Sequence, residues 1–197
     1  MCGLLHSFFV GKIILGGVFM TKKLTTTGVL LALAVILSMI RLFDAPYGGS
    51  VTLASMLPII LLSVLYGTKW GILSGIVFSV LTMFSGGIPA PPVAGFGMYV
   101  LVVVLDYILA FGVLGFAGSI SRLFSGKPYA VPLASAVVIA LRFLCHFLSG
   151  ILIWSAYAWE GYGAALYSFL YNGSYMLFEL IITTILSALV VKWIPKK

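Results

Sequence analysis

The chain has 197 residues, of which 62% are hydrophobic and only 8% are charged, and its mean hydropathy is +1.24. Soluble domains carry about 25% charged residues, so this composition excludes a soluble domain and indicates a polytopic membrane protein. The net charge of +7 does not indicate nucleic-acid binding, because the lysines and arginines form small clusters instead of a basic stripe. The apolar runs are continuous, which excludes transmembrane strands with their alternating pattern.

The first residues of the chain are apolar but do not predict a membrane span. Residues 1–19 are interrupted by glycines, and they lack the basic start and small-residue cleavage site of a signal peptide. Residues 20–23 begin with Met20, are basic and lead directly into an apolar run, as a natural start would. We therefore expect residues 1–19 to be a non-native extension and residues 20–197 to be a single domain. The alternative is that residues 1–19 lie in the membrane interface as an amphipathic segment.

Six apolar runs follow, separated by breaks rich in glycine and proline. At about 20 apolar residues per span, they indicate an all-α membrane protein with a bundle of six transmembrane helices. Residues 155–172, which contain Trp159 and Gly161, are expected to fold partly as a loop. The helices are predicted at residues 24–43, 51–66, 70–85, 96–121, 130–154 and 173–193.

The basic residues predict the orientation of this bundle. Six spans place both termini on one side, and nine of the eleven lysines and arginines fall on that side. Cytoplasmic loops carry the excess of Lys and Arg. We therefore expect both termini to be cytoplasmic in a bacterial plasma membrane.

An arginine, a histidine and a tryptophan share one face of the fifth predicted helix. This face carries residues at successive intervals of four, which stacks them along one side of a helix. They are Arg142, His146, Gly150 and Trp154. Ionisable groups inside a bilayer are costly, and by default they mark a functional site that faces the protein interior.

Two carboxylates also lie within predicted spans. Asp106 needs a partner there, and the sequence leaves two open: Arg142, or a cationic substrate held together with aromatic side chains. Glu179 is expected to be structural and to pair with Arg142 or with a neighbour on its own helix.

No enzyme, metal or cofactor motif is present in the sequence. His146 and Ser149 are three residues apart on one helix, without the strand-to-helix turn of a nucleophile elbow. Paired-histidine zinc motifs and phosphate-binding glycine loops are also missing. We therefore expect a binding or transport subunit that is not an enzyme and holds no cofactor or metal. In the first helix, Gly28 and Ala32 form a small-residue pair that would let another helix approach closely.

Two stretches of the chain form a specific pattern together with Asp106-Tyr107 and Leu57-Pro58. They are Arg142-Phe143-x-x-His146-x-x-Ser149-Gly150-x-x-x-Trp154-x-x-Tyr157-Ala158 and Tyr167-Ser168-x-x-Tyr171-Asn172. Through this pattern, residues 20–197 resemble the thiamine-specific substrate-binding component of energy-coupling factor transporters.

The resemblance implies a six-helix bundle that captures thiamine near its extracellular face. Transport would require a transmembrane coupling subunit and two ATPase subunits, with Gly28 and Ala32 facing the coupling subunit. The implied ligand-binding residues are Tyr47, Asp106, Tyr107, His146, Gly150, Trp154, Trp159, Tyr167 and Asn172.

The resemblance also implies roles for these side chains. Asp106 would balance the cationic thiazolium ring of thiamine, and Trp154 would stack on one of its rings. His146, Tyr167 and Asn172 would hydrogen-bond its polar edges.

Two further aromatic residues, Tyr107 and Trp159, would help to close the site. Tyr47 occupies the loop position at which the family has a tryptophan, and the loop that carries it would act as a lid.

Three other functions are compatible with the residues. The same architecture could bind another vitamin or a precursor, such as riboflavin or hydroxymethylpyrimidine. His146 and Asp106 could instead act as acid and base in an intramembrane enzyme. The charged residues could also pair internally in a purely structural subunit.

Overall fold

The computed structural model describes residues 2–46 and 49–193, with side chains at 17, 18 and from 20 onward in these ranges. Two short strands, β1 Arg41–Asp44 and β2 Ser50–Thr52, form an antiparallel hairpin after the first helix. The main helices of the described residues are α1 Cys2–Met39, α2 Leu57–Tyr66, α3 Thr68–Gly86, α4 Phe96–Leu123, α5 Ala130–Leu152 and α6 Ala164–Val190.

The all-α membrane architecture predicted from the composition is confirmed. Five helices of the described chain are long and apolar enough to cross a membrane, namely those at Met20–Met39, Thr68–Gly86, Phe96–Leu123, Ala130–Leu152 and Ala164–Trp193. The sixth apolar helix, α2, has 10 residues, and at 1.5 Å per residue it is about 15 Å long. The predicted bounds of α3, α4 and α5 agree with the structure to within two residues.

The predicted ends of the first two spans are wrong, because the chain between them forms the hairpin. Helix α1 ends at Met39 instead of residue 43, and α2 begins at Leu57 instead of residue 51. The proline at position 58 fits the first turn of α2, where its missing N–H costs no hydrogen bond. Short apolar runs do not distinguish a strand from a helix end.

The N-terminal end of α1 also differs from the prediction. The helix continues without a break from Cys2 through residue 24, the predicted start of the first span.

The last helix begins nine residues earlier than predicted. We expected residues 155–172 to be partly loop, with the helix starting at residue 173. In the structure α6 starts at Ala164, directly after Gly163, and the irregular segment is confined to residues 153–163. Within this segment, Gly161 has a φ of +80°, a backbone conformation that glycine adopts without strain.

The two ends of the bundle differ in charge. At one end, Lys23 lies 3.7 Å from the centre of the Trp70 ring, and the Arg122 guanidinium donates to Thr68 Oγ1 at 3.3 Å. The connections from α2 to α3 and from α4 to α5 lie at this basic end. The hairpin, residues 87–95 and residues 153–163 lie at the opposite end.

A close helix contact holds the middle of the bundle. The Ser63 hydroxyl on α2 donates to the Gly115 carbonyl on α4 and accepts a 2.8 Å hydrogen bond from the Gly118 N–H. A side chain at Gly118 would collide with the backbone of Ser63. Glycine at 118 therefore lets α2 and α4 approach closely, and a side chain at Gly115 would collide with Ile72 on α3.

Candidate ligand-binding site

A cavity of about 390 Å³ opens between the helices at the hairpin end. Its walls come from α3 to α6, the end of α1, the hairpin with the residues that lead into α2, and residues 85–89. Seven of the nine predicted ligand-binding residues line it: Asp106, Tyr107, His146, Gly150, Trp154, Tyr167 and Asn172. The other two are Trp159, which is not part of the lining, and Tyr47, which lies outside the described residues.

A π-helical stretch in α4 places the central carboxylate. Residues Val103–Leu109 form π-helix, which contains Asp106 and Tyr107. Such wide turns are rare and often occur at functional sites. The wider turn orients the Asp106 side chain towards α5. The neighbouring Tyr107 hydroxyl donates a hydrogen bond to the Gly87 carbonyl at 3.0 Å.

Asp106 accepts three hydrogen bonds. Two come from side chains on α5, and the third comes from Trp154, two residues after the end of α5. His146 Nδ1 lies 3.0 Å from Oδ1, while the Ser149 hydroxyl and Trp154 Nε1 donate to Oδ2 at 2.7 and 3.1 Å. A carboxylate has about four acceptor positions, so Asp106 is oriented by the protein and keeps capacity for a ligand donor.

Arg142 reaches Asp106 only through the imidazole between them. Its Nε donates to His146 Nε2 at 3.3 Å, and its guanidinium lies 4.0 Å from the centre of the Phe111 ring. Arginine has no acceptor atom, so His146 Nε2 must accept and Nδ1 must carry the proton that is donated to Asp106. Arg142 and Asp106 therefore do not form the direct pair that the sequence left open. They are connected through hydrogen bonds to a neutral His146 between them.

The hydroxyl of Ser149 donates to Asp106 and not to His146. A nucleophilic serine needs a hydrogen bond to its base, and His146 uses both ring nitrogens for Arg142 and Asp106. Ser149 is therefore not placed as a nucleophile activated by His146.

Asn172 and Gly150 join α5 to α6 beside the cavity. Asn172 Nδ2 donates to the His146 carbonyl at 3.2 Å, and Asn172 Oδ1 accepts from the Tyr175 hydroxyl at 2.6 Å. A Cβ at Gly150 would collide with Ser168 Oγ and would lie 3.0 Å from Asn172 Nδ2. Gly150 therefore acts chiefly by allowing close contact between the two helices.

Aromatic rings form the remaining walls. Trp154 stacks on Tyr157 with centroids 6.2 Å apart, and Tyr167 stacks on Tyr171 at 5.7 Å. Trp159 packs edge-on against Tyr167 from outside the cavity, at 5.3 Å, and 47% of it is exposed. Its position supports the wall at Tyr167 without making it a lining residue.

Glu179 does not pair as the sequence suggested. Its Oε1 accepts from the backbone N–H of Thr52 at 2.5 Å and from the Thr52 hydroxyl at 2.6 Å. The partner is thus the hairpin, which pattern reasoning had taken for helix. Glu179 is 3% exposed and lines the cavity, and its Oε2 has no hydrogen-bond partner among the described residues.

Tyr171 and Tyr175 also line the cavity, although neither was among the predicted ligand-binding residues. They follow Tyr167 at intervals of four, which is the signal of a shared helix face. This spacing could not be used as a helical signal, because residues 155–172 were predicted to fold partly as a loop.

The ionisable lining of the cavity favours a monocation. Asp106, Glu179 and Arg142 line its interior, and two carboxylates with one guanidinium leave a formal charge of −1. Arg41 lies at the rim, where Asp44 neutralises it at 3.2 Å. Over the described part of the chain, no three His, Cys, Asp or Glu side chains group closely enough to hold a metal ion.

The predicted contact residues on α1, Gly28 and Ala32, are both exposed on its outer face. Nothing lies within 4 Å of a Cβ built at Gly28.

Together these features define a multi-pass helical membrane protein with a ligand cavity between its helices, lined by aromatic rings and a net negative charge. The family model for thiamine transporter protein (Thia_YuaJ) matches residues 24–197. The chain belongs to this family.

Individual relatives agree with the family assignment. The chain is 30% identical to the thiamine transporter ThiT of Bacillus subtilis over 185 residues, which cover 88% of this chain and 92% of that protein. It is 28% identical to the thiamine transporter ThiT of Lacticaseibacillus paracasei over 139 residues, covering 66% of this chain and 63% of that protein. The solved structure of ThiT from Listeria monocytogenes has the same fold, with a TM-score of 0.73, 23% identity, and coverage of 89% of this chain and 96% of that chain.

Proposed function

We propose that the chain is the thiamine-binding subunit of an ATP-driven vitamin importer of the energy-coupling factor type. The observation that carries the proposal is the cavity: a formal charge of −1 enclosed by aromatic faces suits the permanently cationic thiazolium ring. A cation beside desolvated aromatic rings gains about 2 kcal/mol for a good contact. Membership of the thiamine transporter family supports the same ligand.

The predicted roles of the site residues remain compatible with this arrangement. Asp106 balances the thiazolium charge and Trp154 offers a ring face beside it. His146, Tyr167 and Asn172 lie around the same cavity, where they would contact the polar edges of the ligand. Glu179 Oε2 adds an acceptor for a donor group such as the hydroxyethyl tail or the aminopyrimidine.

The basic end of the bundle is proposed to face the cytoplasm, with both termini there. The cavity then opens to the outside, where thiamine is captured. Residues 20–197 would form the binding domain.

The coupling subunit would contact the exposed face of α1 that carries Gly28 and Ala32, where small residues permit close approach of a helix. Two ATPase subunits would supply the energy. The binding subunit itself would catalyse no reaction.

The test is a titration of the detergent-purified chain with thiamine, followed by tryptophan fluorescence. Thiamine stacked beside Trp154 is expected to quench the emission, and Trp154→Phe should lose most of the quench. Trp193→Phe is the matched control, because Trp193 lies near the far end of α6 and is 76% exposed. Absence of any response of the wild-type protein at micromolar thiamine would refute the proposal.

A further inference from the structure

Glu179 presents an unused carboxylate oxygen to the cavity. Its Oε1 accepts two hydrogen bonds from Thr52, whereas its Oε2 is buried and has no partner among the described residues. The side chain is almost fully buried and lines the cavity. A buried carboxylate oxygen without a donor is costly. We therefore expect the missing donor to belong to a molecule that occupies the cavity.

The unused oxygen lies at the deep end of the cavity. Asn172 on α6 donates to the His146 carbonyl on α5, so these two residues share one level of the bundle. Helix α5 leaves the basic end and α6 returns to it. From the shared level, Arg142 is four residues and Glu179 seven residues nearer the basic end, or about 6 and 10 Å along the helix axes. Trp154 lies in the opposite direction, at the hairpin end of the cavity.

The deep end combines one acceptor and one donor with apolar walls. The Arg142 guanidinium uses its Nε for His146 and carries four further N–H groups. Among the described side chains, no ion pair within 4.0 Å joins Arg142 to Glu179. Phe111 packs on the guanidinium, Phe78 packs on Phe111 with ring centroids 4.9 Å apart, and both rings line the cavity. This arrangement suits a small group that both donates and accepts a hydrogen bond, as a hydroxyl does.

Thiamine carries one such group, the hydroxyl of its hydroxyethyl tail. The flat aminopyrimidine matches the ring faces at the hairpin end of the cavity. These faces belong to Trp154 and Tyr167, each of which is stacked on a second tyrosine. The thiazolium ring lies between the aminopyrimidine and the tail, and its charge is matched by Asp106. With the aminopyrimidine at the hairpin end, the tail therefore points to the deep end.

We propose that Glu179 determines the specificity for the ligand tail: its Oε2 accepts a hydrogen bond from the tail hydroxyl, and Arg142 donates to the oxygen of the same hydroxyl. This assignment rests on the proposed function for the identity of the ligand. A phosphate ester in place of the hydroxyl would bring about two negative charges next to the carboxylate. Like charges in contact are strongly unfavourable, and the single charge of Arg142 cannot balance both anions. The site therefore selects the free alcohol over its phosphate ester.

The first experiment compares two ligands on the wild-type protein by isothermal titration. One is thiamine, and the other is the analogue with an ethyl tail, which keeps the charge and both rings but lacks the hydroxyl. Loss of a hydrogen bond to a charged acceptor should weaken binding of the analogue at least about tenfold. Affinities of the two ligands within threefold of each other would overturn the proposal.

The second experiment changes the unused oxygen and keeps the contact with Thr52. Glu179→Gln retains one oxygen for the two Thr52 donors and places a neutral NH₂ group where Oε2 was. The preference for thiamine over the ethyl analogue should fall to about threefold, because a neutral hydrogen bond is weaker. Thiamine monophosphate should bind at least about tenfold more tightly than to the wild type, because a like charge is removed. Glu160→Gln is the control at an exposed carboxylate outside the lining, and it should leave all three affinities within about twofold.

Unchanged preferences of Glu179→Gln among the three ligands would also overturn the proposal, since water or another ligand group would then satisfy Oε2. Absence of thiamine binding by the wild-type protein would refute the proposed function, and this assignment with it. Normal thiamine binding without discrimination of the tail would refute this assignment alone. The comparison of thiamine with the ethyl analogue needs no variant, so it decides the question independently of how Glu179→Gln folds.

Discussion

Replacing Asp106 by asparagine changes the cavity in two ways. The formal charge of the ionisable lining rises from −1 to zero, because Glu179 and Arg142 then cancel. The new amide also offers one acceptor oxygen where the carboxylate offered two. Three donors converge on Asp106, from His146, Ser149 and Trp154, so the amide nitrogen must face at least one of them.

The magnitude follows from Coulomb's law. A unit charge about 5 Å from Asp106 interacts with it by about 3 kcal/mol at an effective dielectric constant of about 20. That energy corresponds to roughly a hundredfold change in affinity. Misplacement of a donor adds to the loss. We therefore expect Asp106→Asn to weaken thiamine binding by about two to three orders of magnitude.

The assay is isothermal titration of each purified variant with thiamine. Glu160→Gln removes a carboxylate that lies outside the cavity lining and is exposed, so its affinity should stay within about twofold of the wild type, as expected of a screened surface charge. An Asp106→Asn protein that binds thiamine within threefold of the wild type would refute the reasoning. The carboxylate would then serve only to orient α5, and a neutral ligand would be favoured.

Further substitutions test the helix contacts around the site. Gly150→Ala should weaken thiamine binding at least about tenfold through its clash with Ser168, measured by titration, and Ser168→Gly in the same chain should recover part of the loss. Ser63→Ala removes two hydrogen bonds to α4 and should lower the free energy of unfolding by about 2 kcal/mol. Its effect is read from denaturation, and an unchanged affinity is expected because Ser63 lies outside the cavity lining. Ala32→Leu should abolish co-purification with the coupling subunit without altering thiamine affinity. Val29→Leu is the control, and it should retain the complex because valine is already a large side chain.

The site was predictable from the sequence to the extent that polar residues are conspicuous in an apolar chain. Asp106, His146 and Trp154 stand out because ionisable and hydrogen-bonding groups need partners inside a membrane. The structure brings all three together with hydrogen bonds between them.

The hairpin and its attachments to α6 were not predictable in the same way. Leu42, Phe43 and Val51 continue the apolar runs on either side, so they were read as helix ends. Their strand structure depends on contacts with distant residues such as Glu179. The partner of Glu179 is separated from it by 127 positions, so no local pattern could indicate it. The early start of α6 was missed because aromatic and glycine residues before Tyr167 weakened the helical signal.

Equilibrium binding of thiamine to the purified wild-type chain tests the central claim most directly. A cavity with one excess negative charge and aromatic walls should bind the cation saturably, at a single site and at or below micromolar concentration. A neutral pyrimidine that lacks the thiazolium ring should compete poorly. Absence of saturable thiamine binding, or equal binding of the neutral pyrimidine, would contradict the account.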